Sequence, residues 1–163
     1  MSTVTSRPES DLSPAKGHVI ALLNQQLADA IDLSLQAKQA HWNVKGANFV
    51  SLHTLFDEIA QTLTELIDEL AERAVELGGI AEGTLPAVLA ASRLPVYDRE
   101  LLAGAAHVSA LRAAMTHFAQ STRAAIDTAA ASGDATTADV FTEVSRAVDK
   151  LLWKLTAHGV AGR

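Results

Sequence analysis

Cysteine is absent from this chain of 163 residues, and aromatic residues make up only 4% of it. Without cysteine, disulfides and thiolate metal sites are excluded. No apolar run approaches the roughly 18 residues of a membrane-spanning helix, so we expect no membrane span. Proline is scarce, with 4 residues, whereas 48% of the residues are apolar. Ala and Leu dominate that fraction, which is typical of a helical domain.

Length, leader and charge narrow the class of protein further. A chain of this length suits one domain with one core. Residues 1–17 have no apolar stretch of the kind that secretory signals carry, so we predict a cytoplasmic protein. The net charge is −6. Because phosphate contacts supply most of the affinity for DNA, this charge argues against tight DNA binding.

Four long helical patterns cover most of the sequence. Each opens at a capping residue or an aspartate, and apolar residues then recur at steps of three and four. Pro14 suits the first position of a helix, and Gly78-Gly79 is a stop signal. The predicted helices run from Ser13-Pro14 to about Asn43, from about Asn48 to Leu77, from near Asp98 to just before Ser132-Gly133, and from Asp134–Thr136 onwards.

The connection between the second and third helices is long, and residues 84–90 inside it resemble a short helix with its own cap. Four helices with one long middle connection predict an all-α four-helix bundle with a crossover. The short connections make the first and second helices antiparallel, and likewise the third and fourth. We predict a flexible tail over residues 1–12, a bundle over residues 13–158 and a short C-terminal tail over residues 159–163.

The second helix carries four ligand-type side chains on one face. On a wheel of about 100° per residue with His53 at zero, Asp57 falls near 40°, Asp68 near 60° and Glu72 near 100°. The apolar stripe centres near 260°, roughly opposite. Since no Glu is followed by His three residues later, an inward-facing Glu-x-x-His metal site is not expected.

The spacing along this face bears on whether one chain can complete a metal site. Asp57 and Asp68 are separated by about 16 Å along the helix axis, whereas ligands of one metal lie a few ångströms apart. An antiparallel second copy would bring Asp68 and Glu72 opposite His53 and Asp57, with two equivalent sites related by a two-fold axis. The middle of the face consists of small or uncharged residues: Ala60, Gln61, Thr64 and Ala71.

The alternative is that these carboxylates only form a solvated helix surface, which is the usual role of a charged stripe. The coincidence of His with three acids away from the core favours a metal. Imidazole and carboxylate ligands without sulfur suit iron, manganese or zinc. Open coordination positions would favour reactive Fe(II).

The sequence resembles the Dps family (DNA-binding protein from starved cells), which are ferritin-like mini-ferritins. The resemblance spans residues 14–158. It is specific in the His-Trp-Asn stretch with its downstream His and Asp. The matching positions are Lys38 to Asn43, Gly46 to Phe49, His53, Asp57, Asp68, Ala71 to Ala74, Gly78-Gly79, Thr137 to Asp139, and Asp149-Lys150 with Trp153 following.

The resemblance implies a ferritin-like four-helix bundle with a short helix in the middle connection, and a hollow shell of twelve subunits built from two-fold dimers. It implies a ferroxidase that oxidises Fe(II), preferably with hydrogen peroxide, and stores ferric mineral. His41, His53 and Asp57 would come from one subunit, and Asp68 and Glu72 from its mate. Trp42 would lie near the iron and accept a stray oxidising equivalent, with packing as its alternative role.

Other candidates have weaker support. Glu58 is a predicted metal residue for mineral nucleation inside the shell, with a solvated surface as the alternative. Asp134 and Asp139 would line an acidic entry pore for iron, although Asp134 could be only an N-cap. No role is assigned to His18, His107, His117 and His158.

The family name implies DNA binding, usually through a Lys-rich tail. Residues 1–17 are close to neutral, so we expect weak or no DNA binding at neutral pH, and association with the nucleoid only if DNA is bound. Two functions compete with the ferroxidase. One is a DNA-compacting stress protein whose metal site is incidental, and the other is a helical stress protein without metal chemistry.

Overall fold

Five helices make up the part of the chain that this computed structural model describes, residues 13–159. The predicted tail over residues 1–12 lies outside the described residues, and so do residues 160–163. Within residues 13–159, the only β-type pairing is an isolated bridge between Lys45 and Ala103. The helices are α1 (Pro14–Asn43), α2 (Phe49–Glu76), α3 (Leu85–Ala91), α4 (Gly104–Ala131) and α5 (Ala135–Gly159).

The helix ends follow the local signals in the sequence. The Ser13 hydroxyl accepts a hydrogen bond from Lys16 N at 3.3 Å, and Pro14 begins α1. Beyond α2, Gly78 takes a positive φ of 91°, which a residue with a side chain rarely adopts. α3 confirms the short helix that was predicted inside the middle connection.

The start of α4 corrects the prediction, which placed it near Asp98. The Asp98 carboxylate accepts a hydrogen bond from Glu100 N at 2.9 Å, which makes a local turn. The carbonyl of Leu102 accepts a hydrogen bond from Lys45 N at 3.0 Å, so this residue pairs with the α1–α2 turn and is not part of a helix. The helix begins only at Gly104.

The four long helices pack as two pairs, α1 with α2 and α4 with α5, as the short connections predicted. Their shared core is apolar and centred on three fully buried phenylalanines, Phe56, Phe118 and Phe141. This is the all-α four-helix bundle that the sequence predicts. None of the helices within residues 13–159 has the length and apolar character needed to cross a membrane.

Polar side chains of α1 hold the middle connection in place. The Asn24 side chain contacts Ile80 O and Glu82 N, each at 2.9 Å. Gln36 donates to Pro95 O at 3.1 Å. Asp29 is fully buried and forms an ion pair with Arg93. Because these partners lie on one side of α1, the connection runs along that helix to the start of α4.

Candidate metal centre

Two histidines meet where α1 ends and α2 begins. His41 lies in the last turn of α1, and His53 is near the start of α2. Their rings stack with centroids 3.7 Å apart and an angle of 22° between the planes. The two predicted imidazole ligands of one chain are therefore adjacent.

The backbone fixes which nitrogen of each ring is free. His41 Nδ1 lies 2.8 Å from the carbonyl of His53, and His53 Nδ1 lies 2.8 Å from the carbonyl of His41. A carbonyl only accepts hydrogen bonds, so both Nδ1 atoms are assigned as donors. In the neutral rings, both Nε2 atoms then keep a lone pair for a metal.

The turn that brings the two histidines together is clamped by the start of α4. Gly46 has a positive φ of 112°, which suits a glycine. Lys45 is paired with the 102–103 segment. A Cβ added at Gly104 would lie 2.5 Å from Leu52 Cδ1, so glycine allows α4 to approach α2 closely.

Asp57 lies one turn beyond His53 and is already paired. Its Oδ1 accepts from Lys38 Nζ at 2.6 Å, and its Oδ2 accepts from Gln61 at 2.8 Å. The hydrogen bond from Lys38 is the main reason that the pKa of Asp57 lies below its usual value, with the charges of Lys38 and the two histidines adding to it. Asp57 is therefore an ionised carboxylate whose charge is balanced by Lys38 of the same chain.

Asp68 and Glu72 lie farther along α2 and are exposed, and their side chains make no hydrogen bond or ion pair with any other residue in the 13–159 range. Across the same range, no three His, Asp or Glu side chains are close enough to hold a metal. One described subunit thus brings His41 against His53, places Asp57 one helical turn from His53, and leaves the other two carboxylates farther along α2. This agrees with the separation that the helix geometry predicts.

Comparison with known proteins places this arrangement in a family. The model of the ferritin-like domain family matches residues 20–160. A relative from Agrobacterium fabrum, named DNA protection during starvation protein, is 44% identical over 155 residues, which are 94% of this chain and 96% of the relative. The chain belongs to the Dps family of ferritin-like proteins.

Solved structures of Dps proteins share the fold. Dps from Staphylococcus aureus is similar with a TM-score of 0.85 and 31% identity, over 90% of this chain and 97% of that one. Dps from Vibrio cholerae has a TM-score of 0.83 and 26% identity, over 88% and 89% of the two chains, and is described as a member of a superfamily of ferritin-like diiron-carboxylate proteins.

Trp42 and Glu58, the two remaining predicted site residues, lie in different surroundings. Trp42 follows His41 and is 66% exposed, so packing in the subunit's own core does not account for it. Glu58 forms an ion pair with Lys154 of α5, whereas its neighbour Asp57 contacts α1. The role of Glu58 in mineral nucleation stays a prediction.

Asp134 acts as the N-cap of α5 in this Dps-family subunit. It accepts from Thr137 N at 2.9 Å and from the Thr137 hydroxyl at 2.7 Å, and Arg73 of α2 binds it at 3.1 Å. Burial of Asp134 acts to raise its pKa, but the hydrogen bonds from Thr137 and the charge of Arg73 outweigh that effect and lower it. Asp139 is exposed, and its part in an entry pore stays a prediction.

Sequence reasoning missed the role of two residues beside the site. Lys38 was part of the matching motif but received no function, and Gln61 was counted only as an uncharged residue. Side chains three or four residues apart share a helix face. The spacings from Lys38 to His41 and from Asp57 to Gln61 therefore contained the signal.

Removing the Lys38 ammonium is expected to tighten binding of divalent metal. Lys38 bonds to Oδ1 of Asp57, so it would compete with a metal for this carboxylate. For a partly exposed ion pair, we expect Lys38→Met to lower the dissociation constant for Fe(II) by roughly twofold to fivefold. Anaerobic calorimetry with Fe(II) measures it. Lys38→Arg, which keeps the charge, is the control, and equal affinities in all three proteins would show that Lys38 does not compete.

Proposed function

We propose that this Dps-family chain is a ferroxidase and iron-storage protein that oxidises Fe(II) at sites shared between two subunits. The observation that carries the proposal is the divided ligand set of α2. His41 and His53 keep their Nε2 atoms for a metal, and Asp57 lies one turn beyond His53. On the same face, Asp68 lies about 16 Å and Glu72 about 22 Å beyond Asp57, and neither side chain has a partner within residues 13–159. His41, His53 and Asp57 would bind iron together with Asp68 and Glu72 of a second copy.

An antiparallel copy of α2 would complete two such sites at once. The pair at positions 53 and 72 and the pair at positions 57 and 68 share one midpoint along the helix, between residues 62 and 63. Val50 and Val75 share it too, and they are 74% and 49% exposed. The two valines lie near 60° and 40° on the wheel, within the ligand face. The same axis would therefore cover exposed apolar surface at both ends of the face.

We propose a homododecameric shell of two-fold dimers that holds ferric mineral inside. Fe(II) and peroxide are the substrates. Reduction of hydrogen peroxide to two waters takes two electrons, which a pair of Fe(II) ions supplies without releasing hydroxyl radical. The carboxylates supply hard oxygen ligands that suit the ferric product. Because each iron would have only a few protein ligands, coordination positions would remain open for peroxide.

Loss of the two imidazoles tests this function. The protein is loaded anaerobically with Fe(II) and pulsed with peroxide while ferric absorbance is followed. We expect rapid oxidation in the wild type and a fall of roughly 100-fold or more in the rate for His41→Ala/His53→Ala, because the substrate iron is no longer positioned. His117→Ala is a matched histidine control outside the site. Equal rates in all three proteins would reject the function.

The relative from Agrobacterium fabrum is named for DNA protection. For this chain, we propose protection through removal of iron and peroxide rather than through DNA contact, because its net charge of −6 opposes binding to phosphates. A mobility-shift assay with DNA at low salt distinguishes the two kinds of protection. A tight complex that dissociates when salt is added would favour protection through DNA contact.

A further inference from the structure

Tyr97 is the only tyrosine in the chain, and its hydroxyl lies 2.5 Å from Nδ1 of His107. Tyr97 lies in the middle connection and His107 in the first turn of α4. His107 is 1% exposed, and the backbone of Asn43 at the end of α1 lies close to its ring. An apolar side chain could fill this position in the bundle. A buried imidazole that is hydrogen-bonded to a phenol therefore calls for an explanation.

The surroundings fix the direction of this hydrogen bond. Burial raises the pKa of Tyr97 to about 12, with the charge of Asp98 adding to the effect. Burial lowers the pKa of His107, although the nearby backbone of Asn43 acts in the opposite sense. At neutral pH the phenol therefore keeps its proton and the imidazole is uncharged. The hydroxyl donates to Nδ1, and Nδ1 is available as a base.

The pair lies against the helix that carries most of the proposed iron ligands. The ring of Phe56 lies 6.2 Å from the ring of His107, centre to centre. Phe56 precedes Asp57 directly and lies three residues after His53, on the same helix. Asn43 is two residues from His41. The phenol is therefore connected to the proposed ligands through the neighbouring rings of His107 and Phe56 and then through the α2 backbone.

We propose that Tyr97 is a one-electron donor to the iron site and that His107 accepts the phenol proton as the electron leaves. The inference rests on the proposed function, and it concerns a subunit pair whose site holds one Fe(II) when peroxide arrives. Fe(II) gives one electron and becomes Fe(III). Tyr97 gives the second electron, its O–H bond breaks, and the proton moves to His107 Nδ1. Peroxide takes both electrons and two solvent protons to form two waters.

The hydrogen bond makes this donation feasible. Removing an electron from a phenol that cannot lose its proton would leave a highly acidic radical cation in a partly buried place, which is unfavourable. With His107 as the acceptor, the product is a neutral phenoxyl radical beside an imidazolium. The singly loaded site thereby completes a two-electron reduction that it could not complete with iron alone.

Freeze-quenched electron paramagnetic resonance tests the donation, with one Fe(II) per site followed by peroxide. We expect a tyrosyl radical in the wild type and its loss in Tyr97→Phe. Because the chain has one tyrosine, a tyrosyl spectrum can come only from Tyr97. Ferric absorbance is followed in the same samples, and gel filtration of Tyr97→Phe shows whether the variant folds and assembles as the wild type does.

His107→Gln tests the proton acceptor, because glutamine can bond to the phenol but does not act as a base at neutral pH. We expect the radical yield to fall by roughly tenfold or more while Tyr97 remains present. Ferric absorbance without a tyrosyl radical, or an indole radical alone, would overturn this inference and leave the proposed function intact. No iron oxidation in the wild type would overturn the proposed function and this inference with it.

Discussion

Two inactive variants are expected to regain activity when their subunits assemble together. One variant, His41→Ala/His53→Ala, lacks the imidazole half of the proposed site. The other, Asp68→Asn/Glu72→Gln, lacks the distant carboxylate half. In a mixed two-fold dimer, one site combines both defects and the other combines both intact halves. Random pairing makes half of the dimers mixed, so roughly a quarter of the wild-type sites should return.

Co-expression of the two variants, with a different tag on each, supplies the mixed particles. The measured quantity is the rate of ferric absorbance after a peroxide pulse, divided by the rate of the wild type. Each variant alone is the control and should be inactive. If all ligands came from one chain, every chain in the mixture would be defective and no activity would return. Full activity in Asp68→Asn/Glu72→Gln alone would remove those carboxylates from the site.

The helices and the pairing of the bundle could be predicted from the sequence because their signals are local. Ser13-Pro14 and Gly78-Gly79 mark ends of α1 and α2 through capping and glycine conformation, which depend on near neighbours only. The start of α4 was predicted six residues too early. Its position depends on the pairing of Lys45 with the 102–103 segment, a contact between distant parts of the chain.

The features of the candidate site also fall into those that local spacing predicts and those that depend on packing between helices. Helix periodicity placed His53, Asp57, Asp68 and Glu72 on one face, since it needs only the spacing along α2. It could not show that His41 and His53 bond to each other's backbone, because that contact depends on how α1 and α2 pack around their turn. The same holds for His107, to which the sequence assigned no role. Its bond to Tyr97 depends on where the middle connection meets α4.

The middle connection is anchored by a buried charge, and removing its partner is expected to destabilise the subunit strongly. Asp29 of α1 has a side chain with no exposed surface, and Arg93 binds it through Nη2 at 2.5 Å and Nε at 3.1 Å. Arg93→Leu would leave this carboxylate buried without a cation. Only neutral donors would remain, including the backbone N–H of residue 93 at 2.8 Å. We expect a loss of about 3 kcal/mol in the free energy of unfolding.

Thermal unfolding followed by circular dichroism measures the effect. For a chain of this size, the loss corresponds to a decrease of about 6–12 °C in Tm. Arg99→Leu is the matched control. Arg99 pairs with Glu100 in the same connection, but the Arg99 side chain is 87% exposed and the Glu100 side chain 79% exposed. An exposed pair contributes little, so its Tm should change by no more than about 2 °C. Equal shifts in the two variants would mean that Asp29 is satisfied by its neutral donors and that Arg93 does not anchor the connection.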